Sequence, residues 1–425
     1  MTLYIKNATF IDWQSLRFTK TDMAVESGPY GGIRLIPSID ALAPKNLSNI
    51  LDAKGRFVTK SFGCGHHHIY STLARGMPAP AKTPRNFVDI LSYIWWNLDK
   101  NLDLEMIKAS ALASALFCAK NGVTFVIDHH SSPFAVEDSL FVIKEAFDTI
   151  GISHLLCYEM SDRDGEKVRD AGLDETKNFL KAGNQGHVSL HASFTVGNDL
   201  LEKAIALAKK FTTGIHIHVA EDMADQEHCL KHHGKRVMQR LFDAGALDLP
   251  GSILGHCIHL DNNEKSLLRD SKAWVVQNTE SNLNNNVGLG NYSACGSNIM
   301  LGTDGMHSDM LRSAKAAFFV GQGTEGIGFP EIYKRFRNIH RYIKKGHYKG
   351  DADNNLVILD YNTPTHMNQD NFSGHFLFGI ESSHVDSVIS SGRLIVKNKK
   401  LITASEQDIL QSAKEMGNRL WKKLS

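Results

Sequence analysis

The sequence predicts an α/β protein whose main part is a (β/α)8 barrel of the TIM type, accompanied by a small β-rich domain. From residue 60 to residue 345, short apolar segments alternate with longer amphipathic helical segments. Eight such repeats favour a barrel over a doubly wound open sheet. The two flanking stretches, residues 1–59 and 346–405, carry short apolar runs broken by Gly, Pro and Asn, which is typical of small antiparallel strands.

The eight predicted barrel strands are short apolar segments, several of which end in histidine or an acid. In chain order they are FGCGHHHI, VTFVIDHH, ISHLLCYEM, HVSLHASF, GIHIHVAE, SILGHCIH, AWVVQN and SNIMLGTD. Because the two β-rich stretches flank the barrel, we expect residues 1–59 and 346–405 to pair in one composite β-sandwich domain. Residues 406–425 are expected to form a closing helix.

Composition and charge exclude several classes of function. The 425-residue chain has a net charge of +1, whereas nucleic-acid and anionic-membrane binding need clustered positive charge. We see no signal peptide and no apolar run near the roughly 18–20 residues of a membrane span. Six scattered cysteines form no CxxC pair and suit reduced thiols. We therefore expect a cytoplasmic protein with a small-molecule substrate and no nucleic-acid or membrane partner.

Three consecutive histidines lie at the end of the first predicted barrel strand. Side chains alternate between the two faces of a strand, so His66 and His68 share one face and His67 takes the other. On the lumen face of a barrel, such a pair can supply two imidazoles to one metal ion, with His67 directed outward. Taken alone, the segment is explained equally well as a polar strand end with incidental histidines.

Later segments place further candidate groups at the carboxyl ends of predicted strands, where barrel chemistry is located. His218 and Glu221 lie at the end of the fifth strand, His256 at the end of the sixth, and Asp304 at the end of the eighth. His216 shares a face with His218 but lies deeper, where a hydrogen-bonded interior histidine is the favoured interpretation. Because these groups all lie at the carboxyl ends of predicted strands, in addition to the pair on the first strand, a metal site is the better explanation.

Three imidazoles and one carboxylate suit zinc, with iron(II) as the alternative. A metal ion with an open position lowers the pKa of bound water to about 7, which provides hydroxide at neutral pH. Asp304 and Glu221 can then share the proton transfers, since one faces the water and the other the substrate. His256 can hold the hydroxide or polarise the electrophile.

The motifs HHH, HVAE, GHCIHL and LGTDG, in this order, resemble the amidohydrolase superfamily, and within it the branch of deaminases and chlorohydrolases. Longer stretches are similar to the SsnA-type aminohydrolases of that branch: HHHIYSTLARGM, VIDHHSSP, YEMSDRDG, HASFTV, NTESNLNNNVG, LGTDGMHSDML and LVILDYNTPT. These stretches span nearly the whole chain. The resemblance implies a metal-dependent barrel hydrolase with a β-sandwich built from both termini.

By position, the resemblance implies a role for each candidate residue. Glu221 matches the proton shuttle of the family, His256 the histidine that contacts hydroxide or substrate, and His191 a histidine that faces the substrate. The implied metal ligands are His66, His68, His218 and Asp304. The strand-four segment HVSLHASF lacks the lysine of binuclear members, which favours a single ion, zinc or iron(II).

Two departures from the family pattern concern the surroundings of the site. The Pro-Gly pair that usually precedes the HxH motif is replaced by KSFGCG, which contains no proline. The Asn-Pro or similar pair that usually precedes a Ser-Asn pair is replaced by Asn278-Thr279-Glu280, before Ser281-Asn282. Neither change removes an implied ligand, and both bear on loop rigidity and substrate fit.

Several residues are weaker candidates for substrate contacts. Arg75 could bind a carboxylate or carbonyl group, or could form a structural salt bridge. Tyr70 could cover the site or pack in the core, and Asn282 could reach the pocket or form a turn. Trp95–Trp96 could form an aromatic wall, and the charged loop 162–164 could contact substrate or another subunit.

The predicted function is metal-dependent hydrolysis that deaminates an aminated purine- or pyrimidine-like heterocycle, by attack of metal-bound hydroxide. Hydrolysis of a cyclic amide or ureide, or of a halogenated ring, is the alternative within the superfamily. A catalytically inactive metal- or ligand-binding relative is the alternative from another class. We also expect a homo-oligomer, a dimer or a higher assembly.

Overall fold

The computed structural model of the chain describes residues 2–41 and 49–424. Residue 1 and residues 42–48 of the predicted β-rich domain lie outside the described residues, as does residue 425, the last of the predicted closing helix. Within the described part of the chain, no helix has the length and apolar character needed to cross a membrane.

The strands of the described residues follow the predicted alternation. In chain order they are β1 (Thr2–Ile11), β2 (Phe18–Glu26), β3 (Ile33–Ile36), β4 (Ile50–Asp52), β5 (Phe57–Lys60), β6 (Phe62–His67), β7 (Val123–His130), β8 (Ser153–Met160), β9 (Val188–Ala192), β10 (Ile215–Val219), β11 (Ile253–His256), β12 (Trp274–Gln277), β13 (Ile299–Leu301), β14 (Leu356–Leu359), β15 (Val385–Ser390), β16 (Arg393–Lys397) and β17 (Lys400–Leu401).

Helices connect and cover these strands. The α-helices are α1 (Phe87–Ile90), α2 (Trp96–Lys100), α3 (Leu104–Lys120), α4 (Ser139–Ile150), α5 (Glu166–Lys181), α6 (Asn198–Phe211), α7 (Met223–His233), α8 (Val237–Asp243), α9 (Asn262–Arg269), α10 (Thr279–Asn284), α11 (Met310–Thr324), α12 (Phe329–Lys345), α13 (Phe372–Phe378) and α14 (Glu406–Leu424). Short 3₁₀ helices cover Ile39–Ala41, Ile69–Ala74, Ser193–Thr195 and Ser382–His384, and a π-helical turn covers Leu91–Trp95.

Strands β6 to β13 form a parallel barrel in sequence order, as predicted. The barrel closes where the chain leaves β13, because the amides of Thr303 and Asp304 donate to the carbonyl oxygen of His66, at 3.0 and 3.1 Å. A parallel bridge between His67 and Asp304 lies beside these bonds. The closure therefore joins the first histidine motif to the last acidic motif of the chain.

The terminal strands form one mostly antiparallel sheet, with the order β17-β16-β15-β14-β5-β1-β2-β3 and with β4 beside β1. The contact between the two chain ends is the antiparallel pair of β5 and β14. The prediction that both ends build one domain is confirmed, and the structure links the strands of that domain in a single hydrogen-bonded sheet. The exact domain boundaries, at residues 59, 345 and 405, stay predictions.

Strand β1 shows how the sequence adapts to this sheet. Leu3 and Ile5 are buried at odd positions, whereas Ala8 and Phe10 are buried at even positions. The register with β2 shifts between Ile5 and Ala8, and Asn7 there has a left-handed backbone with φ of 57°. The irregularity moves the buried face by one residue, as a β-bulge does.

A buried ion cluster connects β5 to the helix that follows the barrel. The Lys60 ammonium lies 3.0 Å from Oδ1 of Asp351, and His340 of α12 lies 2.7 Å from Oδ2 of the same carboxylate. The side chains of Lys60 and Asp351 are only 3% and 1% exposed. Arg337 of α12 also donates to the carbonyl oxygen of Lys60. The cluster therefore ties the β-rich domain to the barrel.

We predict that Lys60→Met destabilises the fold by about 3–5 kcal/mol, because it leaves the Asp351 carboxylate buried without its ammonium partner. The measurement is the midpoint of thermal unfolding by circular dichroism. Lys108→Met is the matched control, since its ion pair with Glu145 is exposed on both sides. Equal midpoints for the two variants would contradict a structural role for the buried cluster.

Candidate metal centre and active site

Four of the sequence-predicted residues meet at the carboxyl end of the barrel. His66 lies in β6, His68 directly follows it, His218 lies near the end of β10, and Asp304 follows β13. Strand β6 ends at His67, so His68 is the first residue beyond the strand. His67 points away from this group and hydrogen-bonds Ser308 at 2.9 Å, in agreement with the predicted outward orientation.

The ligand atoms of these four residues lie close together. Nε2 of His218 is 3.2 Å from Nε2 of His68 and 3.3 Å from Nε2 of His66. Oδ1 of Asp304 is 3.0 Å from Nε2 of His68 and 3.6 Å from Nε2 of His66. Zinc binds histidine nitrogen at about 2.0–2.1 Å, and tetrahedral ligands at that distance are about 3.3 Å apart. The observed separations therefore fit these atoms as ligands of one metal ion.

The opposite ring nitrogens are each held by a neighbour. Nδ1 of His68 donates to the carbonyl oxygen of His129 at 2.6 Å, and Nδ1 of His218 donates to that of His191 at 2.9 Å. Nδ1 of His66 lies 2.9 Å from Nε2 of His216, the deeper histidine of the predicted pair. Such bonds set the tautomer and direct the free Nε2 lone pairs inward. Three ring nitrogens that converge beside a carboxylate oxygen form a donor set that fits a metal ion.

Burial and hydrogen bonds adjust the protonation of three of the four groups in the direction a metal site needs. Burial lowers the pKa of His66 and of His218 well below the ordinary value, which keeps both imidazoles neutral. Burial also lowers the pKa of His68, but the hydrogen bond and charge of Asp304 outweigh it and raise that pKa to about 9. Burial raises the pKa of Asp304, but hydrogen bonds with His66 and His68 outweigh it and hold that pKa well below its usual range. Neutral imidazoles and an ionised carboxylate are the forms that bind metals.

Glu221 and His256 lie next to Asp304. Nε2 of His256 is 3.5 Å from Oε2 of Glu221 and 3.6 Å from Oδ2 of Asp304. Asn285 donates to Oε1 of Glu221 at 3.3 Å. Burial raises the pKa of Glu221, and the Asp304 charge raises it further. A carboxyl group with a raised pKa beside a second, ionised carboxylate is suited to carry a proton.

The backbone around this cluster is strained. Ala220, His256 and Asp304 all have left-handed conformations, with φ of 45°, 66° and 54°. A left-handed conformation costs a residue with a Cβ roughly 1–2 kcal/mol. Strain of this kind persists only where the surrounding structure enforces it, and it clusters at functional sites.

A cavity opens above the cluster. His191 and Tyr70 line it, as do Glu221 and Asn285. Trp95 and Trp96 also line the cavity, which fits the aromatic wall that the sequence analysis considered.

Two predicted substrate contacts take other positions. Arg75 lines a separate groove beneath α14, and its guanidinium lies 4.8 Å from the ring centre of Phe117. Asn282 is not among the residues lining the cavity, and its Oδ1 accepts a hydrogen bond from Nδ1 of His256 at 2.7 Å. The structure thus places Asn282 where it orients His256.

Two acids of the site had no part in the sequence-based predictions. Glu159 lines the cavity from β8, and Asp99 of α2 lies behind it as a partner of Arg163. Burial, helped by the charges of Glu159 and Asp164, raises the pKa of Asp99 to about 6 despite the nearby guanidinium. A signal for Glu159 was present, because an acid in the penultimate position of an otherwise apolar strand is unusual.

A second group of metal-ligating side chains lies one layer deeper in the barrel. His129, Cys157 and His216 bring their ligand atoms within 4.8 Å of one another. Nδ1 of His216 is 3.7 Å from the Cys157 sulfur, and Nε2 of His129 is 2.5 Å from Oγ of Ser189. Hydrogen bonds within the barrel therefore already occupy all three side chains, since Cys157 also donates to the carbonyl oxygen of Asp128 and His216 also contacts His66.

Comparison with known proteins agrees with this geometry. The chain is 24% identical over 420 residues to a 5'-deoxyadenosine deaminase of Methanococcus vannielii, covering 93% of this chain and 96% of that protein. It is 24% identical over 447 residues to a 5-methylthioadenosine/S-adenosylhomocysteine deaminase of Caldanaerobacter subterraneus, covering 99% of both.

The fold has close structural neighbours. The solved structure of an adenosine deaminase from Xanthomonas campestris with bound zinc superposes with a TM-score of 0.83, covering 98% of both chains at 17% identity. The profile of the Amidohydrolase family matches residues 57–330, well over half of the sequence. That match includes every residue of the cluster described above. This chain therefore belongs to the amidohydrolase family.

Proposed function

We propose that this chain is a hydrolytic deaminase that replaces the exocyclic amino group of a purine- or pyrimidine-like ring with oxygen and releases ammonia. The observation that carries the proposal is that Glu221 and Asp304 line one end of the cavity beside three converging imidazoles. Nε2 of the buried His256 lies 3.5 and 3.6 Å from their carboxylate oxygens. Membership in the amidohydrolase family and the names of the deaminase relatives support it.

We assign the metal ligands to His66, His68, His218 and Asp304. Nitrogen and oxygen donors at these separations favour zinc, with iron(II) as the alternative. A single ion is supported by β9, which contains no lysine. When bound, such an ion supplies the Lewis acidity that makes water a nucleophile near neutral pH.

The protein groups handle the protons. Asp304 accepts a proton from the attacking water, and Glu221 delivers a proton to the ring nitrogen beside the reacting carbon. Asp304 then passes its proton to the amino group, which leaves as ammonia, while the hydroxyl proton of the tetrahedral carbon returns to Glu221 as the carbonyl forms. One water is consumed for each ammonia released. His256, oriented by Asn282, donates to the oxygen that becomes the carbonyl. His191 faces the ring from the cavity wall.

A screen with coupled ammonia detection tests the proposed reaction. The panel contains aminopurines, aminopyrimidines, pterins and the adenosine derivatives that appear in the names of the relatives, with cyclic ureides and chlorinated rings for the alternative reactions. We expect ammonia release from at least one heterocyclic amine by zinc- or iron-loaded protein. Ring opening or chloride release without ammonia would contradict deamination, and no turnover at all would indicate an inactive relative.

We predict that His218→Ala and Asp304→Asn bind the metal ion at least tenfold more weakly, because the first removes a ligand nitrogen and the second removes the negative charge of the ligand oxygen. Metal content after dialysis, measured by plasma mass spectrometry, checks this. His228→Ala is the matched control, since His228 lies on α7 outside the cluster. Full metal retention in both ligand variants would contradict the assignment.

We predict that Glu221→Gln keeps its metal but loses about 10²–10⁴-fold in kcat, because the amide cannot carry the proton to the ring. The assay is initial-rate ammonia release on the substrate found in the screen. The exposed Glu227→Gln on the neighbouring helix is the matched control. If the activity of Glu221→Gln lies within threefold of wild type, Glu221 does not deliver the proton in the proposed mechanism.

The assembly state and the location stay proposals. A homo-oligomer is supported by a cluster of exposed aromatic rings, Phe319, Phe329 and Phe378, since contiguous apolar surface marks interaction sites. Light scattering on a sizing column tests it, and a monomeric mass would contradict it. A cytoplasmic location is supported by six buried free cysteines, and cell fractionation tests it.

A further inference from the structure

One wall of the cavity carries an ion-pair network that the proposed proton transfers do not use. Arg163, Glu159 and Trp96 line this wall. Asp99 and Asp164 contact Arg163 from behind. The charged side chains are almost completely buried, with 9% of Arg163 and 3% of Glu159 exposed. Buried charges are kept in a fold when they are paired or bind a ligand.

The guanidinium of Arg163 is held in one orientation. Nη2 donates to Asp99 and, at 3.1 Å, to Oγ of Ser131, while Nε donates to Asp164 at 2.9 Å. The guanidinium carbon lies 5.3 Å from the ring centre of Trp96, within reach of a cation–π contact. These contacts engage one side of the guanidinium fork.

The remaining nitrogen of Arg163 faces Glu159. Nη1 lies 3.6 Å from Oε1 of Glu159, beyond hydrogen-bond distance. The other oxygen of Glu159 lies 3.2 Å from Nδ1 of His129. Nη1 and Oε1 therefore present a hydrogen-bond donor beside an acceptor on the cavity wall, both in fixed positions.

The charge of this network indicates which ligands it accepts. Three carboxylates, those of Asp99, Glu159 and Asp164, surround one guanidinium, and Lys100 pairs with Asp164 at 2.7 Å. The sum is one negative charge. A substrate carboxylate would be repelled, whereas a neutral group with one acceptor and one donor side by side is complementary to the pair.

We propose that Arg163 and Glu159 recognise the lactam edge of the substrate ring, that is, a ring carbonyl next to a ring N–H. Nη1 of Arg163 donates to the carbonyl oxygen, and Oε1 of Glu159 accepts from the N–H. The inference rests on the proposed deamination and narrows its substrate class to aminated oxo-heterocycles, such as an oxopurine or a pterin. A ring without the lactam leaves both protein groups unpaired, which is costly in a buried site.

Binding of matched ligands tests this without any turnover. Purine and 6-oxopurine differ only in the lactam, and neither carries an amino group to hydrolyse. Isothermal titration of the metal-loaded wild-type protein should give a Kd for 6-oxopurine about 100-fold below that for purine. Kd values within threefold of each other, or failure of 6-oxopurine to bind, would overturn the proposal.

Variants test whether Arg163 and Glu159 cause the preference for 6-oxopurine over purine. Arg163→Met should abolish the preference for 6-oxopurine, and Glu159→Gln, which keeps the shape of the side chain, should reduce it about tenfold. Lys100→Met is the matched control, because it removes a nearby charge that does not line the cavity, and it should keep the full preference. Loss of the preference in Lys100→Met, or its retention in Glu159→Gln, would contradict the assignment.

The two proposals fail in different ways. A lactam preference in wild type that Glu159→Gln reduces, without ammonia release from any amine, would leave the recognition site standing and remove the deamination. Ammonia release together with equal affinity for purine and 6-oxopurine would support the deamination and contradict the recognition site. Circular dichroism of Arg163→Met shows whether it folds, and if it does not, Glu159→Gln and the wild-type ligand pair decide.

Discussion

Three imidazole nitrogens point at one another inside a low-dielectric barrel, and the rest of the site depends on what holds them there. Nε2 of His218 lies within about 3.3 Å of Nε2 of both His66 and His68. Lone pairs at this distance repel each other unless a cation lies between them. The carbonyl oxygens of His129 and His191 hold Nδ1 of His68 and of His218, so the fold directs both Nε2 atoms at one point, where a metal ion fits.

The barrel closes at the same place where the proposed metal ligands meet. The strands that supply the first and last ligands, β6 and β13, are neighbours because the backbone of Asp304 pairs with that of His66. The left-handed backbone at Asp304 and His256 directs both side chains toward the cluster. Strain here is balanced by the packing of the barrel. Chemistry and fold closure therefore share the same few residues.

Strand periodicity explains which parts could be predicted from sequence. The barrel strands and the ligands His66, His218 and Asp304 lie in or directly after strands, where alternation and order along the chain determine position. The position of Arg75 could not be predicted in this way. The 3₁₀ helix after His68 ends the strand pattern and places Arg75 under α14. The role of Asn282 depends on a contact with His256 across two strand ends, which no local pattern encodes.

The ion pairs of the charged cavity wall could not be predicted for a similar reason. Asp99 comes from a helix that precedes the second barrel strand, whereas Arg163 comes from the loop after the third. Their pairing is a tertiary contact across 64 residues of sequence. Glu159 was visible in the sequence as an acid near the end of a buried strand, and Arg163 lies in the charged loop 162–164, which was a candidate for substrate contact. Sequence reasoning thus located the metal-binding half of the site and part of the cavity wall, and the structure was needed to show how Arg163 pairs with Asp99 and Glu159.

The most direct test of this account is a crystal structure of the metal-loaded protein with anomalous data collected at the absorption edge of the metal. We predict one anomalous peak at about 2.0–2.2 Å from the three Nε2 atoms of His66, His68 and His218 and from an oxygen of Asp304. A peak among His129, Cys157 and His216 instead, or no peak in protein shown to contain metal, would contradict it.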